Sequence, residues 1–91
     1  MFQNKSILIT GGTGSFGKNF TIFLIKKKIP FRKIVIFSRD EFKQSNFLDY
    51  LKIKFPKDFK KVRFIIGDIR DSNRLNYALN DIDIVVHTAA L

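Results

Sequence analysis

Short apolar runs recur at four places along the chain. They lie at residues 5–10, 33–37, 62–66 and 83–87, and all four are rich in β-branched or aromatic side chains. Apolar runs of this length that do not alternate with polar residues are typical of parallel strands covered on both faces. The pattern therefore predicts four β-strands.

Between the first two runs, apolar positions recur at helical spacing. A first helix is predicted over about residues 15–28, before Pro30, with its apolar stripe facing the sheet. This stripe consists of Phe16, Phe20, Phe23, Leu24 and Lys27.

Two aspartates mark the starts of later helices. Asp40 can cap a second helix that ends before Pro56, and Asp71 can cap a short third helix, with Asn80 suited to its C-terminal end. The apolar positions of these helices are Phe47, Leu48, Leu51 and Phe55, and then Leu75, Ala78 and Leu79. A basic loop is predicted over residues 56–61.

The order of the elements predicts the fold. A βαβαβαβ chain with right-handed crossovers gives an α/β, Rossmann-type parallel sheet of strand order 3-2-1-4 with helices on both faces. A fourth strand without a neighbour would leave an apolar edge open. We therefore expect residues 1–91 to be the N-terminal portion of a larger domain.

The composition narrows the class of protein. The 91 residues are 45% hydrophobic and 14% aromatic, which favours one small globular unit over a disordered chain. The absence of cysteine excludes disulfides and thiolate sites and favours the cytoplasm. The first apolar run is too short for a signal peptide or a membrane span, so no membrane partner is expected. No metal-ligand cluster is evident.

The formal net charge is +9, which would attract nucleic acid if the cations lay on one face. They are instead scattered, with lysines at 26–28 near a predicted helix end and others at 57–61. We interpret them as solvated residues and partners of helix C-termini. No nucleic-acid partner is expected, although a non-enzymatic basic nucleotide- or RNA-binding module is an alternative.

A glycine-rich turn joins the first strand to the first helix. Gly11 should make the tight turn, Gly14 should let a pyrophosphate approach the backbone, and Gly17 should let the helix pack on the first strand. Thr13 and Ser15 would add hydroxyl donors. Backbone N–H groups and the helix dipole at this turn predict a dinucleotide site, whereas a turn without a ligand is the alternative.

The residues after the second strand bear on which dinucleotide binds. An acidic residue there would accept a hydrogen bond from a ribose 2′-hydroxyl, but Ser38 stands first, followed by Arg39 and, one turn on, Lys43. A hydroxyl and two cations favour a 2′-phosphate, and therefore NADP over NAD. Arg39 could instead be solvated or pair with Asp40 or Glu41. If the strand ends later, Asp40 could bind the ribose and NAD would be possible.

The later strand ends supply further candidates. Asp68 could accept a hydrogen bond from the adenine amino group, with Ile69 against the ring, or could cap its own loop. Small residues follow the fourth strand and would let the cofactor lie close to the backbone; they are Thr88, Ala89 and Ala90. His87 is interpreted as a packed strand residue, and no catalytic residue is predicted in the chain.

Four segments together carry a resemblance to a known family: residues 7–18, 37–44, 63–71 and 87–91. Over its whole length the chain resembles the N-terminal part of an extended short-chain dehydrogenase/reductase. More narrowly, it is similar to the inverting UDP-N-acetylglucosamine 4,6-dehydratases of bacterial polysaccharide biosynthesis. The second and third segments are more specific than the glycines.

The resemblance implies NADP as the cofactor. Residues 13–16, which include Phe16, would hold the pyrophosphate, Asp68 and Ile69 the adenine, and Thr88 the middle of the cofactor. The 2′-phosphate end would lie against Ser38, Arg39, Asp40, Glu41, Phe42 and Lys43. Family members oxidise C4 of the sugar, eliminate water across C5 and C6 and return the hydride with inversion at C5.

The same resemblance implies what this chain lacks. The family's catalytic acid and base, its Tyr-x-x-x-Lys segment and its sugar-nucleotide lobe would all follow Leu91. We therefore expect a fragment that is inactive alone, with a UDP-sugar substrate and homo-oligomerisation belonging to a full-length form. A fragment of another extended nucleotide-sugar epimerase or reductase is the alternative enzyme.

Overall fold

The computed structural model describes residues 1–88. The elements, in chain order, are β1 (Ser6–Thr10), α1 (Ser15–Lys26), β2 (Lys33–Ser38), α2 (Glu41–Lys54), α3 (Pro56–Phe59), β3 (Val62–Ile66), α4 (Ser72–Ala78) and β4 (Ile84–His87). The four predicted strands and the three predicted helices are confirmed, with small differences at their ends. The sheet is parallel, with the predicted order β3-β2-β1-β4.

The register of the sheet brings the carboxyl ends of the strands to one edge. Thr10 lies opposite Phe37 on β2 and His87 on β4, and Ser38 lies opposite Ile66 on β3. All residues of β1 are buried, as its unbroken apolar pattern predicts. The turns that follow β1, β2 and β3 therefore start side by side.

Helices cover both faces of the sheet. Alternate residues of β1 point to opposite faces, so Ile7 and Ile9 belong to one apolar cluster and Leu8 to the other. The larger cluster includes Leu24 and Ile25 of α1 and Phe47 and Leu51 of α2. The smaller cluster includes Ala78 and Leu75 of α4. This arrangement confirms the predicted α/β layers.

The predicted apolar stripe of α1 is only partly right: Leu24 is buried and Phe20 packs against the larger apolar cluster, but two other members face outwards. Phe16 and Phe23 are 61% and 50% exposed, and the ring of Phe16 stacks on Phe20 with centroids 6.1 Å apart. The residues of α1 that are buried are Gly17, Thr21, Leu24 and Ile25. Gly17 lies against the backbone of Gly12, so this face of the helix is turned inwards, whereas Phe16 and Phe23 lie outside it.

The predicted loop at residues 56–61 is also partly wrong, because it contains the one-turn helix α3. Pro56 occupies its first turn, where the fixed φ of proline suits a helix and its missing N–H is not needed. Phe55 and Phe59 pack against the larger apolar cluster and hold this turn in place.

At the end of α4, Asp81 rather than Asn80 takes the left-handed conformation, with φ of 57°.

Candidate functional site

Backbone hydrogen bonds join the turns at the carboxyl edge of the sheet. The amide of Gly11 donates to Phe37 O over 2.8 Å, and that of Gly67 donates to Ser38 O over 2.9 Å. The amide of Thr88 donates to Thr10 O over 3.0 Å. The structure thus brings together the glycine turn, residues 38–43, residues 68–69 and Thr88, as expected for one site. Ala89 and Ala90 lie outside the described residues.

Gly11 and Gly14 shape the turn after β1. Gly11 has a φ of 69°, which confirms its predicted role in a tight turn, since that conformation favours glycine. Gly14 donates its N–H to Gly11 O over 3.0 Å and is the N-cap of α1. A Cβ on Gly14 would meet only Gly11 O, at 3.3 Å. The outer side of Gly14 is therefore open.

Gly17 packs on the turn and not on β1, so its predicted partner is wrong. A Cβ on Gly17 would lie 2.5 Å from Gly12 Cα, closer than any stable contact. Gly12 is confined in turn, because its own Cβ would lie 2.6 Å from Ile36 Cγ2. The sequence reasoning assigned no role to Gly12, although a glycine directly after Gly11 was a visible signal.

The N-terminus of α1 presents backbone donors. No side chain caps this helix, and its first turn contains no acidic residue. The first N–H groups of a helix have no acceptor within it, and among residues 1–88 those of Ser15, Phe16 and Gly17 have none elsewhere. Ser15 and Phe16 are also exposed. Donors and helix dipole together make this turn suited to an anion.

The Thr13 hydroxyl faces β2. Thr13 is buried, and its Oγ1 donates to Ser38 Oγ over 3.3 Å. In this arrangement the side chain links the glycine turn to the end of β2, whereas the sequence predicted that it would face a phosphate. The hydroxyl of Ser15 is the more accessible of the two predicted donors.

Ser38 and Gln44 form a buried polar pair at the end of β2. Ser38 is 8% exposed and Gln44 is 4% exposed. Gln44 Nε2 donates to Ser38 Oγ over 2.9 Å and to Ile65 O over 2.8 Å. No role was predicted for Gln44 from the sequence, although it is a polar residue on the inward side of α2, one turn before Phe47.

β2 ends at Ser38, one residue later than predicted. Asp40 nevertheless caps α2 as predicted, because its Oδ1 accepts a hydrogen bond of 3.0 Å from the amide of Lys43. The cap uses one carboxylate oxygen, and the later end of β2 meets the condition under which Asp40 could bind the ribose, so that alternative stays open. The three residues that follow Asp40 in the sequence are exposed at the start of α2: Glu41, Phe42 and Lys43.

Arg39 pairs with an acid other than the two that the sequence suggested. Its Nη1 lies 3.7 Å from Asp68 Oδ2, across the ends of β2 and β3. The Arg39 side chain is 69% exposed, so this contact is loose and solvated. Arg39 is therefore available to a ligand anion.

Asp68 is held mainly by Arg70. Its Oδ2 lies 2.6 Å from Arg70 Nη2, and its Oδ1 accepts a 2.8 Å bond from the Arg70 amide. The hydrogen bonds from Arg70, with smaller help from its charge and that of Arg39, hold the pKa of Asp68 well below its ordinary value. The loop-capping role of Asp68 is confirmed, and its contact with adenine stays a prediction. Ile69 packs against the smaller apolar cluster.

His87 is not packed, contrary to our interpretation. It is exposed, and its Nδ1 lies 2.6 Å from Thr10 Oγ1. The hydroxyl of Thr88 donates to Thr10 O, which ties the end of β4 to β1. Thr10 therefore contacts the last residue of β4 and the residue that follows it.

A groove of about 410 Å³ lies between α1 and α2 and opens beside Thr13. Its lining is Thr13, Lys18, Asn19, Ile22, Lys43, Asn46, Phe47 and Tyr50. Two lysines and no carboxylate line the groove. No role was predicted for Lys18 from the sequence. A lysine in the first turn of a helix is unfavourable to the helix dipole, and this was a signal that the residue could serve another purpose.

Residues 1–88 contain neither a membrane-spanning helix nor a metal-binding cluster. None of the helices there is both long and apolar enough to cross a membrane. The same residues contain no group of three or more His, Asp or Glu side chains placed to hold a metal ion. The candidate ligand-binding side chains described above lie at the carboxyl edge of the sheet.

The chain is similar in sequence to longer bacterial proteins. It is 46% identical over 91 residues to a UDP-N-acetylglucosamine 4,6-dehydratase (inverting) of Campylobacter jejuni and 42% identical over 93 residues to a UDP-glucose 4-epimerase of Rickettsia bellii. These alignments cover 100% of this chain but 25% and 26% of the relatives. The chain thus spans about a quarter of the length of the curated relatives it matches.

Solved structures share the fold. Pen from Bacillus thuringiensis matches 99% of this chain and 27% of its own with a TM-score of 0.81 and 34% identity. The Bordetella bronchiseptica enzyme WbmF, in complex with NAD+ and UDP, matches 97% of this chain and 23% of its own with a TM-score of 0.65 and 25% identity. These likenesses confirm the Rossmann-type architecture.

A family model also matches the chain. It covers residues 7–91, which include the described sheet apart from Ser6 and the turns that follow β1, β2 and β3. The match therefore extends well beyond the glycine turn and shows a relationship over nearly the whole sequence. The chain belongs to the polysaccharide biosynthesis protein family.

Proposed function

We propose that this chain is the NADP-binding portion of a nucleotide-sugar 4,6-dehydratase. The observation that carries the proposal is the pairing of an uncapped helix N-terminus at α1 with exposed cations after β2. The relative from Campylobacter jejuni, named for the inverting dehydration of UDP-N-acetylglucosamine, supports the substrate class. Membership of a polysaccharide biosynthesis family favours this function over a nucleic-acid-binding module.

The turn after β1 fits the pyrophosphate of a dinucleotide. The amides of Ser15, Phe16 and Gly17 offer donors, and the open side of Gly14 leaves room for phosphate oxygens near the backbone. A negatively charged group would also satisfy the dipole of α1, which has no acidic residue in its first turn. The NAD+ complex of WbmF supports a nicotinamide dinucleotide in a protein of this fold.

The choice of NADP rests on the residues after β2. Ser38 provides a neutral hydroxyl where an acid would repel a phosphate, and Arg39 and Lys43 provide positive charge nearby. Asp68 leaves Arg39 accessible, because it is bound more tightly by Arg70. These features favour the phosphorylated cofactor for this chain.

The wider reaction is proposed from the relatives. When bound, a nicotinamide cofactor supplies a hydride acceptor and donor for oxidation and reduction at a sugar carbon. The described residues contribute binding and orientation of that cofactor. The 42% identity to a UDP-glucose 4-epimerase supports a second candidate, epimerisation of a UDP-sugar. Assays of the longer protein with UDP-N-acetylglucosamine and UDP-glucose would separate the two reactions.

The cofactor proposal predicts that replacing Arg39 will weaken NADP binding selectively. Arg39→Ala should reduce NADP affinity about tenfold, because a charge-assisted contact with the 2′-phosphate is lost, while NAD affinity changes little. Calorimetric titration of the chain with both cofactors measures this. Arg63→Ala is the matched control, since Arg63 is an exposed arginine on β3 outside the site.

Three results would count against the proposal. Equal affinity of the unmodified chain for NADP and NAD would remove the 2′-phosphate assignment. Failure of the folded chain to bind either cofactor would remove the dinucleotide site itself. If Arg63→Ala weakened NADP as much as Arg39→Ala, the effect would be one of net charge and not of a contact.

A further inference from the structure

Gln44 is a buried polar residue whose side chain joins two strand ends. It lies in the first turn of α2, and its Nε2 lies 2.9 Å from Ser38 Oγ on β2 and 2.8 Å from Ile65 O on β3. The same nitrogen lies 3.4 Å from Ser38 O, a much weaker contact. The strong contacts therefore occupy both N–H donors of one amide group.

The orientation of this amide is determined by chemistry. The carbonyl oxygen of Ile65 can only accept a hydrogen bond, so the group facing it must be the NH2 of Gln44. The reversed amide would bring two carbonyl oxygens together inside the protein, with the donors left unpaired. Gln44 consequently acts as a donor towards Ser38 as well.

A fixed donor at Gln44 determines how Ser38 can behave. Because Ser38 Oγ accepts from Gln44, its own hydrogen must point to a different acceptor. Within residues 1–88, the other side-chain partner of Ser38 Oγ is Thr13 Oγ1, at 3.3 Å. In that contact Thr13 is the donor, so Ser38 Oγ accepts from both side chains and its own hydrogen is not used by either of them.

We propose that Gln44 is a positioning residue that makes Ser38 a hydrogen-bond donor to the 2′-phosphate of the bound dinucleotide. The inference rests on the proposed NADP function and adds a residue that acts on selectivity without touching the ligand. A phosphate oxygen accepts a charge-assisted bond from such a donor, which is stronger than the bond that the neutral ribose hydroxyl of NAD would form. Gln44 thereby favours NADP through Ser38.

The test is a double-mutant cycle on cofactor selectivity. Ser38→Ala removes the donor, and Gln44→Met removes the amide while keeping a long side chain. Each should lower NADP affinity about tenfold and leave NAD affinity within about twofold, because only the phosphate contact is lost. The double variant should lose no more NADP affinity than Ser38→Ala alone, since Gln44 acts through Ser38. Calorimetric titration of the unmodified chain and the three variants with NADP and with NAD gives the affinities of the cycle.

Matched controls separate the contact from general effects. Ser45→Ala changes an exposed serine on the same helix, and Gln3→Met changes an exposed glutamine near the N-terminus. Both should leave the ratio of NADP to NAD affinity unchanged. Thermal unfolding identifies variants that fold, and Gln44→Leu provides a second apolar replacement if Gln44→Met does not fold.

The outcomes distinguish this inference from the function on which it rests. If the unmodified chain prefers NADP but Gln44→Met lowers both affinities equally, Gln44 is only structural and the inference is overturned. Additive losses in the double variant would also overturn it. If the unmodified chain shows no preference, the NADP assignment itself fails, and the proposed role of Gln44 fails with it.

Discussion

Two glycines make the tightest contact of the candidate site. Gly17 of α1 meets the backbone of Gly12, and Gly12 meets the side chain of Ile36 on β2. These contacts join α1, the glycine turn and β2, and they leave no space for a Cβ on either glycine. At this scale, glycine acts by permitting close packing and not only by permitting an unusual φ.

We predict that Gly17→Ala will destabilise the chain by about 1–3 kcal/mol, because the new Cβ would overlap Gly12 Cα and force α1 away from the turn. Urea unfolding measures the change. Gly14→Ala is the matched control, since its Cβ would meet only Gly11 O at 3.3 Å, and should cost about 1 kcal/mol or less. Equal losses in the two variants would contradict the packing role of Gly17.

The two long helices begin differently. α1 has no side-chain cap and no acid in its first turn, whereas α2 is capped by Asp40 and carries Glu41 in its first turn. Anionic side chains thus already satisfy the dipole of α2, and the N-terminus of α1 stays available to a ligand. This difference between elements places the proposed pyrophosphate at α1.

Removal of the α2 cap should weaken that helix. We expect Asp40→Ala to lower the free energy of unfolding by about 1 kcal/mol, because the Lys43 amide loses its acceptor. Asp49→Ala is the matched control, since Asp49 is an exposed aspartate within the same helix. Urea unfolding compares the two. A loss in Asp49→Ala equal to that in Asp40→Ala would show that the capping bond contributes nothing specific.

Across the whole molecule, the free energy of local opening should be higher for the central strands of the sheet than for β4. β1 and β2 each pair with two strands, and their residues from Ser6 to Thr10 and from Ile34 to Ser38 are buried. β4 pairs with β1, alternates between half-buried and exposed residues, and leaves Val85 49% exposed. The fold is therefore held mainly by its two central strands.

Hydrogen exchange tests this gradient. Hydrogen-bonded amides of β1 and β2 should exchange only through global unfolding, and those of β4 should exchange faster through local opening, because fewer apolar contacts hold them. Exchange measured residue by residue in solution provides the comparison. Equal protection of β4 and β1 would show that the sheet opens as a single unit.

Much of the fold could be predicted from local patterns. Apolar runs, helical spacing and the caps Asp40 and Asp71 lie within a few residues of the structures they determine, and the crossover rule then orders the strands. Gly11 was predicted correctly for the same reason, since a tight turn depends on its own φ. Spacing misled at α1, where Phe16 and Phe23 of the predicted stripe are exposed.

The sequence by itself determined the parallel sheet, its strand order and the edge of the sheet at which the candidate site lies. Only the tertiary structure decided which face of α1 is buried, that Arg39 pairs with Asp68, and that Gln44 connects Ser38 to Ile65 O. Strand and cap formation depend on neighbours along the chain, whereas these contacts join residues on separate elements. Such contacts require atoms to meet within hydrogen-bonding or van der Waals distance, and that is fixed only when the elements pack together.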